Sequence, residues 1–325
     1  MSISLKYLIA LLIVFLFNYK SFSQAVPTSE ENIPYMITFG SKAEKTWGDD
    51  DFCQIFFYMV PKSSASPFYL RIFDPDTGGE IDEAKGDFDT KVKFSFYGGI
   101  GCFSNKDSKN VNPEGEYKSG NLIASKTFGN DSKYDNNWYN FGPFNPSEGE
   151  YVKQFDAYLF KVIAEGTEGN DGNLYSYFFS SDPNKNSIVE GGSTFTYEYS
   201  FRLSDQASHK SHIYPLIDDK TVSIQIYLFD WDNDGRIRLV SNSKNGQTLQ
   251  LSGDGNWIVN TFDIVEEEKN STFDIQFIKP PSNVLKNNNG VVYITNQYNE
   301  ALPFFTTPIG GAPKYNYKIN IEKGK

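Results

Sequence analysis

The chain has little of what usually marks an enzyme or a membrane protein. Its 325 residues hold two cysteines, two histidines and three methionines. His209 and His212 lie three apart in one polar stretch, which argues against a Ser–His–Asp triad. They could hold a transition metal, but two histidines in a polar loop more often just face solvent. There is no G-x-S-x-G elbow and no H-E-x-x-H, so neither hydrolase motif has support. Basic residues are in the minority: 30 Lys and Arg against 41 Asp and Glu, a net charge of −11. That balance disfavours nucleic acid and anionic lipid as partners. It suits cations, although its commonest meaning is solubility. Past the N-terminus no stretch keeps a 3.6-residue apolar period, which argues against helices. Carboxylate pairs for glycoside cleavage are too easy to find among 41 acids to carry any signal.

One apolar run stands out. Lys6 precedes an unbroken apolar and aromatic stretch from Tyr7 to Phe17, followed by polar Asn18 and Lys20 and the small-residue segment Ser21-Phe22-Ser23-Gln24-Ala25. Charged head, apolar middle and small residues at the −3 and −1 positions are the order of a secretory signal peptide. Eleven apolar residues are too few for a bilayer span, which needs about 20. No cysteine follows that would take a lipid anchor, and no second transmembrane candidate occurs. Residues 1–23 are therefore expected to be removed, with cleavage after Ser23 or Ala25. The mature chain would then lose Lys6 and Lys20, and its charge would fall from −11 to −13. Export to the periplasm, the outer-membrane surface or the medium is the expectation.

What is abundant is aromatic: 28 Phe, 21 Tyr and 16% aromatic residues overall. Such residues suit a half-buried pleated surface. Alternating stretches at 52–58, 91–97, 222–228 and 273–277, bounded by Gly, Asn, Asp and Pro, predict strands joined by turns.

The sequence also repeats itself. An offset of 156 aligns Thr38-Phe39 with Thr194-Phe195, Asp49 with Asp205, and Phe73-Asp74-Pro75-Asp76 with Phe229-Asp230-Trp231-Asp232; Gly79 then meets Gly235 and Ile81 meets Ile237. An offset of 118 aligns Phe144 with Phe262, Glu148 with Glu266, Lys161 with Lys279, Gly172 with Gly290 and Tyr175 with Tyr293. Asn137-Trp138 meets Asn256-Trp257 at 119. The difference, 156 − 118 = 38 residues, places an insertion in the first copy between Asp82 and Trp138. A repeat this long is a duplicated domain rather than a solenoid. The predicted fold is all-β: two tandem β-sandwich, jelly-roll-like domains at 30–185 and 190–325, of one topology. A helical half, or strands crossing between the halves into a single sheet, would make the duplication argument fail.

Within each copy one acidic turn is the candidate site. Asp230-Trp231-Asp232-Asn233-Asp234-Gly235 has the D-x-D-x-D-G spacing of the first half of a calcium loop. Carboxylates at alternate positions of a tight turn can converge on one hard cation, which takes six to eight oxygens at about 2.3–2.6 Å. The twelfth position is Ser241 rather than a bidentate Glu, and the flanks 224–229 and 236–240 read as strands, so this is not an EF-hand. Asp230, Asp232 and Asp234 are thus expected to bind Ca²⁺, with Asp205, Asp218 or Asp254 as further ligands. The first copy has Asp74 and Asp76, with Gly78 in place of the third acid. Glu80, Asp82, Glu83, Asp87, Asp89 and Asp49 to Asp51 could complete that site. The alternative is a plain hairpin turn, since Asp, Asn and Gly suit tight turns anyway.

Cys53 and Cys102 allow either a disulfide or two buried thiols. Tyr134 to Phe141 could stack on sugar rings, but the repetition of Trp138 at Trp257 predicts a shared core residue instead. The short aromatic strands, the Phe-Asp-x-Asp turn and the export signal resemble secreted β-sandwich modules of the pre-peptidase C-terminal type. That resemblance implies a non-catalytic module that often binds calcium. The expected function is an envelope or surface protein holding structural calcium and contacting an envelope protein or glycan through loops. The alternatives are a carbohydrate-binding protein, or an extracellular hydrolase without a recognisable motif.

Overall fold

The computed structural model describes residues 25–26, 33–47, 52–111 and 113–310. The expected signal peptide and Asp49 to Asp51 lie outside them. The described residues form strands and four short 3₁₀ turns with no α-helix. Among the described residues no helix is long and apolar enough to cross a membrane.

The first half contains β1 (Ala25–Val26), β2 (Tyr35–Phe39), β3 (Cys53–Pro61), β4 (Phe68–Phe73), β5 (Lys91–Gly98), β6 (Asn121–Phe128), β7 (Trp138–Phe144), β8 (Glu150–Val152), β9 (Ala157–Glu168) and β10 (Gly172–Ser180). The second contains β11 (Ser193–Thr196), β12 (Glu198–Arg202), β13 (Lys210–Ile217), β14 (Ser223–Phe229), β15 (Arg236–Val240), β16 (Asn245–Thr248), β17 (Trp257–Asp263), β18 (Ser271–Thr272), β19 (Asp274–Ile278), β20 (Asn289–Asn296) and β21 (Phe304–Phe305). All four alternating stretches of the sequence are strands: β3, β5, β14 and β19.

The strands build two antiparallel sheets. One runs β17-β14-β20-β12-β2-β10-β4-β7, and the other β16-β15-β19-β13-β21-β11-β3-β9-β5-β6. Cut between β12 and β2, the first sheet reads β2-β10-β4-β7 in one half and β12-β20-β14-β17 in the other. The second sheet yields β3-β9-β5-β6 and β13-β19-β15-β16 in the same way. Leaving out the short strands β1, β8, β11, β18 and β21, each half has eight strands, and numbering them in chain order gives 1-8-3-6 facing 2-7-4-5 both times, the strand order of a jelly roll. The halves therefore share a topology, but they are not separate sandwiches. β2 pairs with β12, and β3 reaches β13 through β11 and β21, so both sheets run across the boundary. The expectation of separate sheets fails because an open sheet edge is most readily satisfied by another edge, and each copy offers one.

Ladder register also corrects the repeat alignment. Ile72 of β4 faces Tyr177, while Leu228 of β14 faces Val292, so Tyr177 and Val292 are equivalents and the offset there is 115, not 118. Tyr175 thus corresponds to Gly290 rather than Tyr293. Continuing across the sheet, Met36 faces Tyr175 and Phe201 faces Gly290, which makes Met36 and Phe201 equivalents. Those two residues also pair with each other, placing a local twofold at their contact. Phe195, aligned above with Phe39, lies in β11 of the opposite sheet. Ile81 and Ile237 are not equivalents either: Ile237 is in the central core, whereas Ile81 packs beside Phe39 and Leu174. The extra residues of the first half divide between two connections, 74–90 against 230–235 and 99–120 against 241–244.

The core lies between the sheets and is largely aromatic. Tyr58 stacks on Phe179 at 3.8 Å, and Phe96 on Phe160 at 5.2 Å. Such pairs contribute about 0.5–1.5 kcal/mol beyond burial alone. At the junction, buried Gln54 of β3 reaches the opposite sheet. Its amide donates to Ile37 O at 2.6 Å and accepts from Ser200 N at 3.0 Å, spanning the step beside the Met36–Phe201 pair. Arg202 pairs with Glu83 at 2.8 Å and donates to Asn289 and Asn287, adding a polar clasp between the halves. Both cysteines are buried thiols outside any disulfide, and burial pushes the Cys102 pKa up to about 12.

Candidate metal centre

The second acidic turn leaves β14 and enters β15. Asp230, Asp232 and Asn233 have φ of 56°, 57° and 53°, so the turn takes left-handed residues in quick succession. Asp and Asn tolerate that region better than other side-chain-bearing residues. Trp231 between them is buried and packs on Phe277 at 5.2 Å, pinning the turn to the core.

This backbone breaks the alternation on which the spacing argument relied. Asp230 and Asp232 do converge, but Asp234 turns inward and forms a buried ion pair with Lys279. Asp254, from the loop before β17, takes the third place. Asp230, Asp232 and Asp254 each offer a carboxylate oxygen, all within 4.8 Å of one another. Oxygens sharing a calcium at about 2.3–2.6 Å stand at most about 5 Å apart, so the spacing fits one ion. Asp205 and Asp218 do not join them. Asp205 accepts from Asn287 N, and Asp218 closes its own turn onto Lys220 N and Thr221 N.

The electrostatics fit an unbalanced site. Burial, opposed by a bond from Gly255 N at 2.7 Å and reinforced by Asp232 and Asp254, lifts the Asp230 pKa to about 6. Burial and the repulsion of Asp254 and Asp234 raise that of Asp232. Oδ1 of Asp232 is enclosed without a hydrogen-bond partner. An enclosed, unbonded carboxylate oxygen among other carboxylates is stabilised by a proton or a cation.

The first turn has the same frame. Asp74 has φ of 54° and accepts from Asn136 N at 2.9 Å, where Asp230 accepts from Gly255 N. Asp74 N donates to Asn137 O as Asp230 N donates to Asn256 O. Asn173 donates to Pro75 O as Asn288 does to Trp231 O, which again matches the offset of 115. Asp74 and Asp76 are fully buried, and burial raises their pKa values to about 7 and about 6, with Asp135 repelling both. Of the reserve acids, Asp82 stays close enough to the pair for Asp74 and Asp76 to repel it. Asp82 braces the turn by accepting from Gly78 N and Leu174 N, and burial pushes its pKa up to about 9. Glu83 binds Arg202, Asp89 accepts from Asn170 N, and Glu80 and Asp87 face solvent. Sequence reasoning missed Asp135, although extending the Asn-Trp match two residues upstream pairs it with Asp254.

Beside each turn lies a cross-strand aromatic pair, Phe73 with Trp138 and Phe229 with Trp257. Neither Trp is the core residue expected. In the first half the Arg71 guanidinium covers Trp138 at 4.7 Å and is held by Asn140 and Asn186. In the second, Trp257 is 37% exposed and continues into Tyr293 and Tyr227 at 5.3 and 4.4 Å. The Tyr134 stretch is occupied by Lys126, which lies over Tyr134 and Tyr139. His212 is engaged by Asp274 at 2.9 Å, and burial lowers the His209 pKa.

No protein-family model and no curated protein matches this chain. Fold and site together define an all-β protein of two antiparallel sheets in jelly-roll order, with a carboxylate cluster on the turn after β14.

Proposed function

We propose that this chain is an exported, non-catalytic binding protein of the cell envelope or surface, and that its second half holds a structural calcium ion at Asp230, Asp232 and Asp254. The convergence of these three carboxylates on one centre carries the reading. The acids are all oxygen donors, the donor type that hard cations prefer. The ion would fasten the loop before β17 to the turn after β14, two segments otherwise joined by a few backbone bonds. The likeness to pre-peptidase C-terminal modules and the signal-peptide pattern supply the exported, non-catalytic part of the proposal.

Calcium in excess of chelator should raise the melting temperature of the full chain, and EDTA should lower it. Asp232→Asn should blunt that response. Identical melting curves with calcium and with EDTA would leave the plain hairpin turn as the explanation. N-terminal sequencing that found Met1 retained on cytosolic protein would remove the exported part.

A second reading, carbohydrate binding, is favoured by the open Trp257 strip. Flat indole and phenol faces accept the C–H faces of sugar rings. Trp257 follows Asp254 by three residues, so an ion there would steady one edge of the strip. A glycan array comparing wild type with Trp257→Ala tests it, and equal signals would exclude this face.

A further inference from the structure

We propose that a cleft between the two halves binds an uncharged oligosaccharide. The inference shares its ligand class with the carbohydrate reading but rests on residues outside the Trp257 strip. The cleft has a volume of about 690 Å³, within the range of about 300–1,000 Å³ common for small-molecule sites. Lys106, Lys109 and Glu114 line it from the first half, and Thr295, Asn299 and Glu300 from the second.

The cleft exists because the halves differ. Its first-half wall belongs to the 99–120 connection, whose counterpart at 241–244 is too short to build one. Both walls are fixed from behind. Buried Lys161 donates to Ser108 Oγ at 2.7 Å and to Ser119 O at 2.9 Å, holding the 3₁₀ turn that carries Lys106 and Lys109. The Asn296 side chain accepts from Tyr298 N and donates to Glu300, each at 2.9 Å, holding the turn that carries Asn299 and Glu300.

Two observations point to a ligand. Thr295 is 6% exposed, and its Oγ1 is enclosed in the cleft wall without a hydrogen-bond partner. A buried hydroxyl left unbonded costs stability, which a ligand hydroxyl would recover. The lysines supply the second observation. Lys109 lies over the Phe103 ring at 3.9 Å, and among the described residues neither it nor Lys106 forms an ion pair. Two lysines against Glu114 and Glu300 leave the lining balanced, so a net charge on the ligand gains nothing. Ammonium groups, carboxylates, an amide and a hydroxyl offer donors and acceptors together, the complement of a ring that carries several hydroxyls. Thr295 also stands two residues beyond Tyr293 on the same face of β20, about 7 Å along the strand. A glycan several rings long therefore reaches both the cleft and the Trp257 strip.

An array of neutral and acidic oligosaccharides, followed by calorimetric titration of the full chain with the strongest neutral hit, tests this. Wild type should bind a neutral glycan. Lys106→Met and Lys109→Met should each weaken it at least about tenfold, as the loss of a bond to a charged group does, and Thr295→Val about threefold to tenfold. Thr295→Val removes an unbonded hydroxyl, so its melting temperature should not fall, which separates lost binding from lost folding. Weakening in these variants supports the cleft, and if Trp257→Ala still binds, the strip is excluded while the cleft stands. Wild-type affinity in all three cleft variants, with binding lost in Trp257→Ala, overturns this proposal and leaves the Trp257 reading. A wild type that binds no glycan, or acidic glycans alone, also overturns it.

Discussion

The two acidic turns share a left-handed first Asp and the bonds around it, and differ in the residues that follow and in what surrounds them. In the second half a third acid, Asp234, is neutralised inside the protein by Lys279, and the neighbouring Trp257 is open to solvent. In the first half Gly78 removes the third acid, no lysine is needed, and Trp138 lies under the Arg71 guanidinium. What both turns retain is the pair of acids two apart and the acid on the facing loop. Features that differ between duplicated halves can serve local packing. Features repeated in register, at buried positions where uncompensated charge is costly, call for a proton or a counter-charge in both halves.

The sharpest way to break this comparison is at Lys279. Lys279→Met should leave Asp234 buried and unpaired and cost about 3–5 kcal/mol in chemical denaturation. Adding Asp234→Asn should recover most of the loss. A single variant within about 1 kcal/mol of wild type would mean that the ion pair does not carry Asp234.

Calcium comes next. At a free concentration 100-fold above its dissociation constant, one bound ion stabilises the fold by about 2.7 kcal/mol. Asp232→Asn should remove that increment, and in EDTA it should be neutral or slightly stabilising because it relieves repulsion. A variant that keeps the full increment would place the second-half ion elsewhere.

The join between the halves is tested by Gln54→Ala. It leaves Ile37 O and Ser200 N without their shared partner and should cost about 1–3 kcal/mol, seen as a lower denaturation midpoint. An unchanged midpoint would show that water replaces the amide.

The remaining effect concerns pH. In chelator, Asp74, Asp76 and Asp230 hold protons more tightly when folded than unfolded, with folded pKa values of about 7, 6 and 6. The folded state then binds more protons between about pH 4 and pH 7, so their contribution to stability falls as pH rises through that window. Saturating calcium should flatten the fall. A contribution that rises with pH in EDTA would contradict the assignment of raised pKa values.

Much of the fold was legible because its signals are local. Period-two aromatic stretches marked β3, β5, β14 and β19, and the repeated Phe-Asp-x-Asp turn marked the β4 and β14 exits at the correct offset. The joined sheets were not legible, since pairing of β2 with β12 depends on two edges with no common local pattern. The last-strand offset was misread because Gly172 and Tyr175 happen to recur at 290 and 293, while the register is set by which face of β20 meets the core. At the site, Asp230 and Asp232 were legible and Asp234 was misplaced. Alternation assumes extended backbone, and left-handed residues at 230, 232 and 233 send Asp234 inward. Asp254 and Asp135 come from a facing loop, which spacing within one turn cannot disclose. The Trp pair was read as core because recurrence suggested packing, whereas both lie on the outer face beside the turns.

The central claim is that a carboxylate from the facing loop, not the third acid of the turn, completes the second-half centre. Measuring calcium affinity for Asp254→Asn beside Asp234→Asn tests it most directly. The account predicts that Asp254→Asn weakens the second-half site at least about tenfold, some 1.4 kcal/mol, while Asp234→Asn leaves its affinity within about twofold. Unchanged affinity in Asp254→Asn together with loss of binding in Asp234→Asn would contradict it.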